Sequence, residues 1–410
     1  MILRRGLPGS KAKRIVKQTK KYCIDTTFGY PLAIKTGSGC FLEDVDGIRY
    51  LDFNSNVASC NVGYNHPEVM EVLEKFSKLG THKIAGQDFY TEEQVKLSKK
   101  LVKITPRNLS RVLLINSGAE AVENAIKFAY RKHGPLPGVS CIRAFHGRTL
   151  GALSFTDSKA VQKRNYPEIN HELIKFCTND NDPDINQLEE LIQREAEPAF
   201  VIVECVQGEG GYRPASKKFI QTLRRVTKEH HVPLIIDEIQ AGMGRTGKWW
   251  SFEYYKVKPD IMTAGKSLQV GAVISSKYYD PHEPGAVSST WGGGHRIDMA
   301  VGLKTIEIIE KEKLLNNAQI MGEYFIKRLK EMQEKYPDKI MDVQGLGLMI
   351  GVEFKDMRCR DYVVNEAFKQ RLLLLGCGFK TVRVAPPLII KEDIADHGLY
   401  VLGDIVKDLK

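Results

Sequence analysis

Several things are scarce in this chain, and each scarcity argues against a class of protein. Its 410 residues hold no apolar run of membrane-spanning length, so no transmembrane helix is expected. Nothing after Met1 has the order of a secretory leader. The eight cysteines are Cys23, Cys40, Cys60, Cys141, Cys177, Cys205, Cys359 and Cys377, and none falls in a CxxC pair. That argues against a zinc ribbon, and no metal site is expected. Scattered in a long chain, they read as free thiols of a reducing compartment, and a cytoplasmic location is expected. There are no internal repeats and no low-complexity stretch. Acid is missing from residues 1–21, which carry Arg4, Arg5, Lys11, Lys13, Arg14, Lys17, Lys20 and Lys21. A nucleic-acid or membrane arm is one reading of that run. An Arg-rich transit peptide is another, although Pro8 and Gly9 interrupt it and serine is scarce. A solvated helical face is preferred, with no nucleic acid and no membrane as partner.

What is present points to a large core. Hydrophobic residues make up 42% of the chain and the net charge is +10. The length suits two domains, or one with an appendage, and the basic balance suits small carboxylates. Residues 111–116 (RVLLIN) read as a strand. The helical pattern that follows puts Val122, Ala125, Ile126 and Ala129 on one face. Short apolar runs at 140–145, 199–204 and 232–239 have the texture of buried parallel strands, with helical segments such as 217–230 between them. This alternation predicts an α/β domain with a mostly parallel central sheet. Beyond residue 296 come a long amphipathic helical pattern, the strand-like GLGLMIGVEF and KTVRVAPPLII, and a closing helix, which together predict a small α+β domain. The expected division is a 1–50 segment packing with the small domain, a large domain over 51–295 and the small C-terminal domain over 296–410. Residues 39–53 read as a β-hairpin turning at Asp46 and Gly47.

Polar residues bunch where the strands end: Asn116, Ser117 and Gly118; Phe145, His146, Gly147 and Arg148; Glu204 with Gln207, Gly208 and Glu209 beyond it; and Asp237, Glu238 and Gln240. In open α/β sheets the carboxyl ends of the strands form the ligand crevice. Ser117, Gly118 and Ala119 lead straight into a helix, which suits a phosphate; an ordinary N-cap by Ser117 explains the same residues equally well. Asp237 ends an apolar run, where a carboxylate needs a cationic or hydrogen-bonding partner. A protonated pyridine nitrogen is one such partner and Mg²⁺ is its rival. The Mg²⁺ reading needs a Walker A loop, and Gly265-Lys266-Ser267 would end one only if position 260 were glycine. It is aspartate. Lys266 then reads as an amine nucleophile able to form a Schiff base. A phosphate turn, a buried acid and such a lysine together favour a pyridoxal 5'-phosphate enzyme.

The motifs NSGAEAVENAIK, AFHGRTLG, VECVQGEGG, IIDEIQAGMGRTG, AGKS and VRVAPPLII make the chain similar to the class III aminotransferases, from about Gly29 to the C-terminus. The resemblance implies the PLP-dependent transferase fold type I. It implies Lys266 as the Schiff-base lysine and proton shuttle, and Asp237 as partner of the pyridinium proton. Ser117, Gly118 and Ala119 would cradle the phosphate, Phe145 would stack on the ring with His146 beside it, and Gln240 would bond its hydroxyl. Thr290 would reach the phosphate of a neighbouring subunit, which implies a homodimer with shared active sites. Substrate-binding residues by the same resemblance are Val57, Arg148, Glu204, Glu209 and Arg383. Arg383 would clamp an α-carboxylate and Arg148 a distal one, with Glu209 as the gate on Arg383; arginine is the planar, bidentate choice for both. The activity implied is ping-pong transfer of an ω-amino group to 2-oxoglutarate, with 4-aminobutyrate or L-lysine as the expected donor. Ornithine or acetylornithine transamination and a racemase or epimerase on the same fold are alternatives. Ser267, Leu268, Gln269 and Val270 form a shorter link to Gly271 than the family usually has. The L-lysine branch is similarly short. Ornithine enzymes carry tyrosine where this chain has Val57.

Overall fold

The computed structural model describes residues 7–24, 26, 29–79, 89–194, 197–287 and 295–409. Near the N-terminus β1 (Ile34–Ser38), β2 (Phe41–Asp44) and β3 (Arg49–Asp52) pair antiparallel. The expected hairpin turn joins β2 to β3, with Gly47 at φ +78°, a conformation that glycine adopts without strain. The other turn residue, Asp46, caps a helix that precedes it in the chain. Its carboxylate accepts from the Lys11 and Ala12 N–H groups at 3.0 and 2.8 Å, at the start of helix Ser10–Tyr22, which has no side-chain cap of its own. The basic side chains of that helix are exposed, in keeping with a solvated face.

The central sheet is built from β4 (Arg111–Ile115), β5 (Gly138–Cys141), β6 (His171–Ile174), β7 (Phe200–Val203), β10 (Leu234–Asp237), β11 (Ile261–Ala264) and β12 (Gly271–Ser275); β8 (Val206–Gln207) and β9 (Arg213–Pro214) form a small separate ribbon. Its order is β4-β12-β11-β10-β7-β5-β6. β12 runs antiparallel to both of its neighbours, and the others run parallel. β5, β7, β10, β11 and β12 are buried at every position, because both faces of the sheet are covered. Helix Gly118–His133 packs Val122, Ala125, Ile126 and Ala129 into one of the two apolar layers. The run expected as a strand at 140–145 stops at Cys141. Ile142 and Arg143 are exposed, with Arg143 at φ +66°, so the chain turns there rather than extending.

The C-terminal part carries β13 (Ile340–Leu346), β14 (Met349–Phe354), β15 (Leu372–Leu373), β16 (Leu375–Cys377) and β17 (Thr381–Val384). Four of these form an antiparallel sheet in the order β13-β14-β17-β16. β15 instead pairs parallel with β3, so the N-terminal sheet is completed by residues more than three hundred positions later. The long helical pattern after 296 is two helices, Arg296–Lys311 and Leu314–Lys335, parted where Lys313 takes φ +56°. No helix among the described residues is long and apolar enough to cross a membrane.

Because β4, β5, β7, β10 and β11 all point the same way, their carboxyl ends share one edge of the sheet. Among the described residues, most of the sequence's candidates lie on that edge or in the loops leaving it, while Arg383 is on β17 and Val57 in the segment Ser55–Ala58.

Candidate active site

Asp237 closes β10, and its side chain is almost wholly buried. Three groups hold the carboxylate. Oδ2 meets His146 Nδ1 at 2.8 Å, and Oδ1 accepts from the Ile239 N–H at 3.0 Å and the Thr263 hydroxyl at 3.1 Å. The last contact follows from register, since Asp237 lies opposite Thr263 on β11. His146 is itself fixed by Thr156, whose Oγ1 accepts from its backbone N–H at 2.9 Å. His146 Nε2 is buried with no partner.

Lys266 opens the single 3₁₀ turn after β11, at φ +46°. Its side chain is half-buried and faces a cavity of about 270 Å³ lined by Gly118, Ala119, Phe145, His146, Asp237 and Gln240, among others. Withdrawal from water, and then the Arg383 cation, bring its amine from the ordinary lysine value down to about 8, against the pull of Glu209, Asp237 and Glu204. Ser117 is the N-cap of the helix on the cavity wall, accepting from the Glu120 N–H at 3.2 Å. The backbone is free to approach here because Gly118 lacks a Cβ, which would press on Ile239.

Glu204 also lines this cavity. Its Oε2 accepts from the Phe145 N–H and its Oε1 from the Gly208 N–H, both at 2.9 Å, so it ties two loops of the site together. Burial pushes its carboxyl up to about 7, opposed by His146 and aided by Asp237. Gln240 donates to the Tyr212 hydroxyl at 2.9 Å, and a Cβ on Gly208 would overlap its Oε1. Beyond lies a fully buried arginine. Arg383 Nη2 meets Glu209 Oε1 at 2.8 Å and donates to the Gly376 carbonyl at 3.2 Å, while its Nε and Nη1 have no partner. The guanidinium also lies over the Tyr212 ring, 5.4 Å from its centre. Burial alone would raise the Glu209 carboxyl, but Arg383 overrides it and holds the group below its ordinary value. Arg148 is exposed at the cavity rim, 5.4 Å over the Phe145 ring.

Val57 does not line this cavity. It lies on a second one, of about 460 Å³, with Tyr30, Asp52, Asn54, Asn56 and Tyr64. The wall that carries it is a left-handed turn: Ser55, Asn56, Val57 and Ala58 have φ of +41°, +50°, +57° and +62°. Each non-glycine residue in that region costs about 1–2 kcal/mol. The turn is held by Asp52 Oδ1 on the Asn54 N–H at 2.7 Å, by the Ser55 hydroxyl on the Ala385 carbonyl at 2.6 Å, and by the buried Arg245 on Ser55 Oγ at 3.1 Å. Thr290 lies outside the described residues.

The family model for Aminotransferase class-III matches residues 26–406. The chain belongs to the class-III aminotransferases. It is 35% identical over 393 residues to an acetylornithine aminotransferase of Archaeoglobus fulgidus, covering 94% of this chain and 99% of that one. It is 32% identical over 440 residues to an alanine/serine racemase of Pyrococcus horikoshii, covering 98% and 91%. Among solved structures, a lysine aminotransferase from M. tuberculosis superposes with a TM-score of 0.89 at 26% identity, covering 97% and 99%.

As a class-III aminotransferase, the protein is a pyridoxal phosphate enzyme of fold type I acting on small amino and keto acids. Its cavity fits that cofactor. A lysine amine of lowered basicity, a buried carboxylate, an orphaned imidazole nitrogen and a helix N-terminus converge on one small space. Tyr212, Thr263 and Thr156 are contributors that the sequence reading passed over. Thr263 was within reach: it stands two residues before Gly265 on the strand leading to the lysine. Tyr212 carried no signal beyond lying close to Glu209.

Proposed function

We propose that this class-III aminotransferase moves the terminal amine of an acetylornithine-type ω-amino acid to 2-oxoglutarate. The observation that carries the reading is the Glu209–Arg383 pair, set at 2.8 Å beside Lys266 in a chain whose full-length relatives include acetylornithine aminotransferases. An ω-amine donor brings no carboxylate next to its reacting carbon. Arg383 must therefore be neutralised from within while the donor is bound, and Glu209 does that. 2-Oxoglutarate does carry a carboxylate beside its reacting carbon, so Glu209 must then yield Arg383 to it. Arg148, at the rim, would meet the distal carboxylate of either substrate. The earlier expectation of 4-aminobutyrate or L-lysine has less support, since the lysine enzyme is alike at 26% identity.

When bound, pyridoxal phosphate supplies a ring that withdraws electrons from the carbon bearing the amine. The residues of this chain supply the rest. Lys266, neutral in an appreciable fraction near pH 7, would hold the cofactor aldehyde and move the proton at the reacting carbon. Asp237, oriented by His146 and Thr263, would keep a proton on the ring nitrogen. Ser117, Gly118 and Ala119 would orient the phosphate at the helix N-terminus.

A donor screen with 2-oxoglutarate tests the reading. N-acetylornithine, ornithine, L-lysine, 4-aminobutyrate and β-alanine are offered in turn and glutamate is measured. The reading expects N-acetylornithine to have the highest kcat/KM, and a higher value for another donor overturns it. The likeness to an alanine/serine racemase keeps a second reading in view: D-amino acid formed from an L-amino acid, without glutamate, would establish it. A homodimer with Thr290 reaching the neighbouring site belongs to the same proposal.

A further inference from the structure

The link after the lysine runs through only Ser267, Leu268, Gln269 and Val270 before Gly271. It is a single 3₁₀ turn, Lys266–Leu268, closed by Gln269 at φ +66°. Backbone in that region favours glycine, yet the chain places a glutamine there. The side chain accounts for the choice. Gln269 Nε2 donates to the Ser59 carbonyl at 3.0 Å and lies 3.3 Å from the Lys266 carbonyl and 3.5 Å from that of Ser267. Ser59 is the residue that ends the left-handed turn Ser55–Ala58, and its own N–H is bonded to the Ser55 carbonyl at 2.9 Å. One amide therefore bridges the loop of the catalytic lysine and the strained wall that carries Val57. Glycine would relax the backbone but could not make that bridge.

We propose that Gln269 is a positioning residue for the amino donor: its amide clamps the Ser55–Ala58 turn, a wall of the second cavity, to the Lys266 loop, and so holds that cavity beside the lysine as the place for the far end of the donor. The inference rests on the class-III reading, but not on which donor is used. A glutamine in the left-handed region keeps a conformational penalty that the clamp offsets. The same clamp explains how a link this short still controls a wall it does not contain.

Gln269→Gly and Gln269→Ala, studied as holoenzymes, test the proposal by two routes. The first is amide hydrogen exchange. Ala58, Ser59 and Cys60 donate within the turn, and their exchange should quicken about fivefold or more in both variants, the loss of roughly one hydrogen bond. The Gln269→Gly protein should melt no lower than wild type, because its backbone strain is relieved. The second route is a kinetic split between half-reactions. KM for the amino donor should rise about fivefold, while kcat and KM for the keto acid stay within about twofold. Wild-type exchange and wild-type donor KM in Gln269→Gly would show that the residue only closes a turn, and would overturn the proposal. Equal loss in both half-reactions would also overturn it. If the wild type accepts none of the screened donors, the donor reading fails, and the exchange measurement still decides the role of Gln269.

Discussion

A solvated lysine holds its proton to about pH 10, whereas Lys266 gives up its own at about 8. The reductive alkylation of Lys266 by a small aldehyde, followed by peptide mass on cofactor-free protein, should therefore rise with an inflection near pH 8. An inflection near 10 would place the amine in water and contradict the cavity. Glu204 shifts the other way. Its proton is held in the folded protein up to about 7, while the unfolded chain releases it near 4.5. Between those values the folded state binds the extra proton, so this group's share of stability is present below the window and is lost as pH rises through it. Glu204→Gln should flatten part of that decline in urea melts taken from pH 5 to 7. It should also cost about 1–3 kcal/mol, because an amide has one acceptor oxygen for two backbone N–H groups. At the rim, Arg148→Ala should raise KM for 2-oxoglutarate about tenfold or more, the worth of a charged hydrogen bond, and should affect monocarboxylate donors less. Equal effects on all substrates would remove Arg148 from its role. Residues such as Asp237 and Lys266 were legible in the sequence because each is chemically costly where it stands. Tyr212 is an ordinary residue whose importance comes from the Gln240 amide opposite it, and sequence does not display that.

At the scale of elements, the apolar runs made the strands and their burial legible, but not their direction. β12 is as apolar as β11, and a run of GAVIS reads the same in either sense. The left-handed turn was hidden for a different reason: of Ser55, Asn56, Val57 and Ala58 only Asn56 tolerates a positive φ, and a β-branched valine beside it argues the other way. Long-range bonds of Ser55 to Arg245 and to the Ala385 carbonyl impose it, with Asp52 bonding locally to the Asn54 N–H. The loop bearing Glu209 and strand β17 bearing Arg383 are joined by an ion pair whose arginine is buried and whose carboxylate is half-buried. Arg383→Ala should cost about 1–3 kcal/mol in denaturant melts, because it leaves the Glu209 carboxylate without its cation. Adding Glu209→Gln should recover part of that loss, and full additivity of the two would mean the pair is not coupled. Gly271 is a second joint. A Cβ there would overlap the Ser117 carbonyl, so Gly271→Ala should displace the Ser117 turn and weaken retention of cofactor on dialysis.

At the scale of the whole molecule, the proposed homodimer with shared sites predicts complementation. Lys266→Ala and Thr290→Ala subunits, unfolded and refolded together, should form hybrids with one intact site, giving up to about a quarter of wild-type activity. Activity equal to the mean of the two parents would mean that each site is built within one chain. The reversed strand β12 has a further consequence, in the order of assembly. β11 and β12 are neighbours both in the chain and in the sheet, so the turn bearing Lys266 is closed by contacts between adjacent residues. β4, which brings the Ser117 turn, pairs with β12 across more than 150 residues. Local contacts form early and distant ones late. With nearer contacts forming first, the turn bearing Lys266 should close before the Ser117 turn arrives, and pulsed hydrogen exchange during refolding should protect the β11–β12 amides before those of β4.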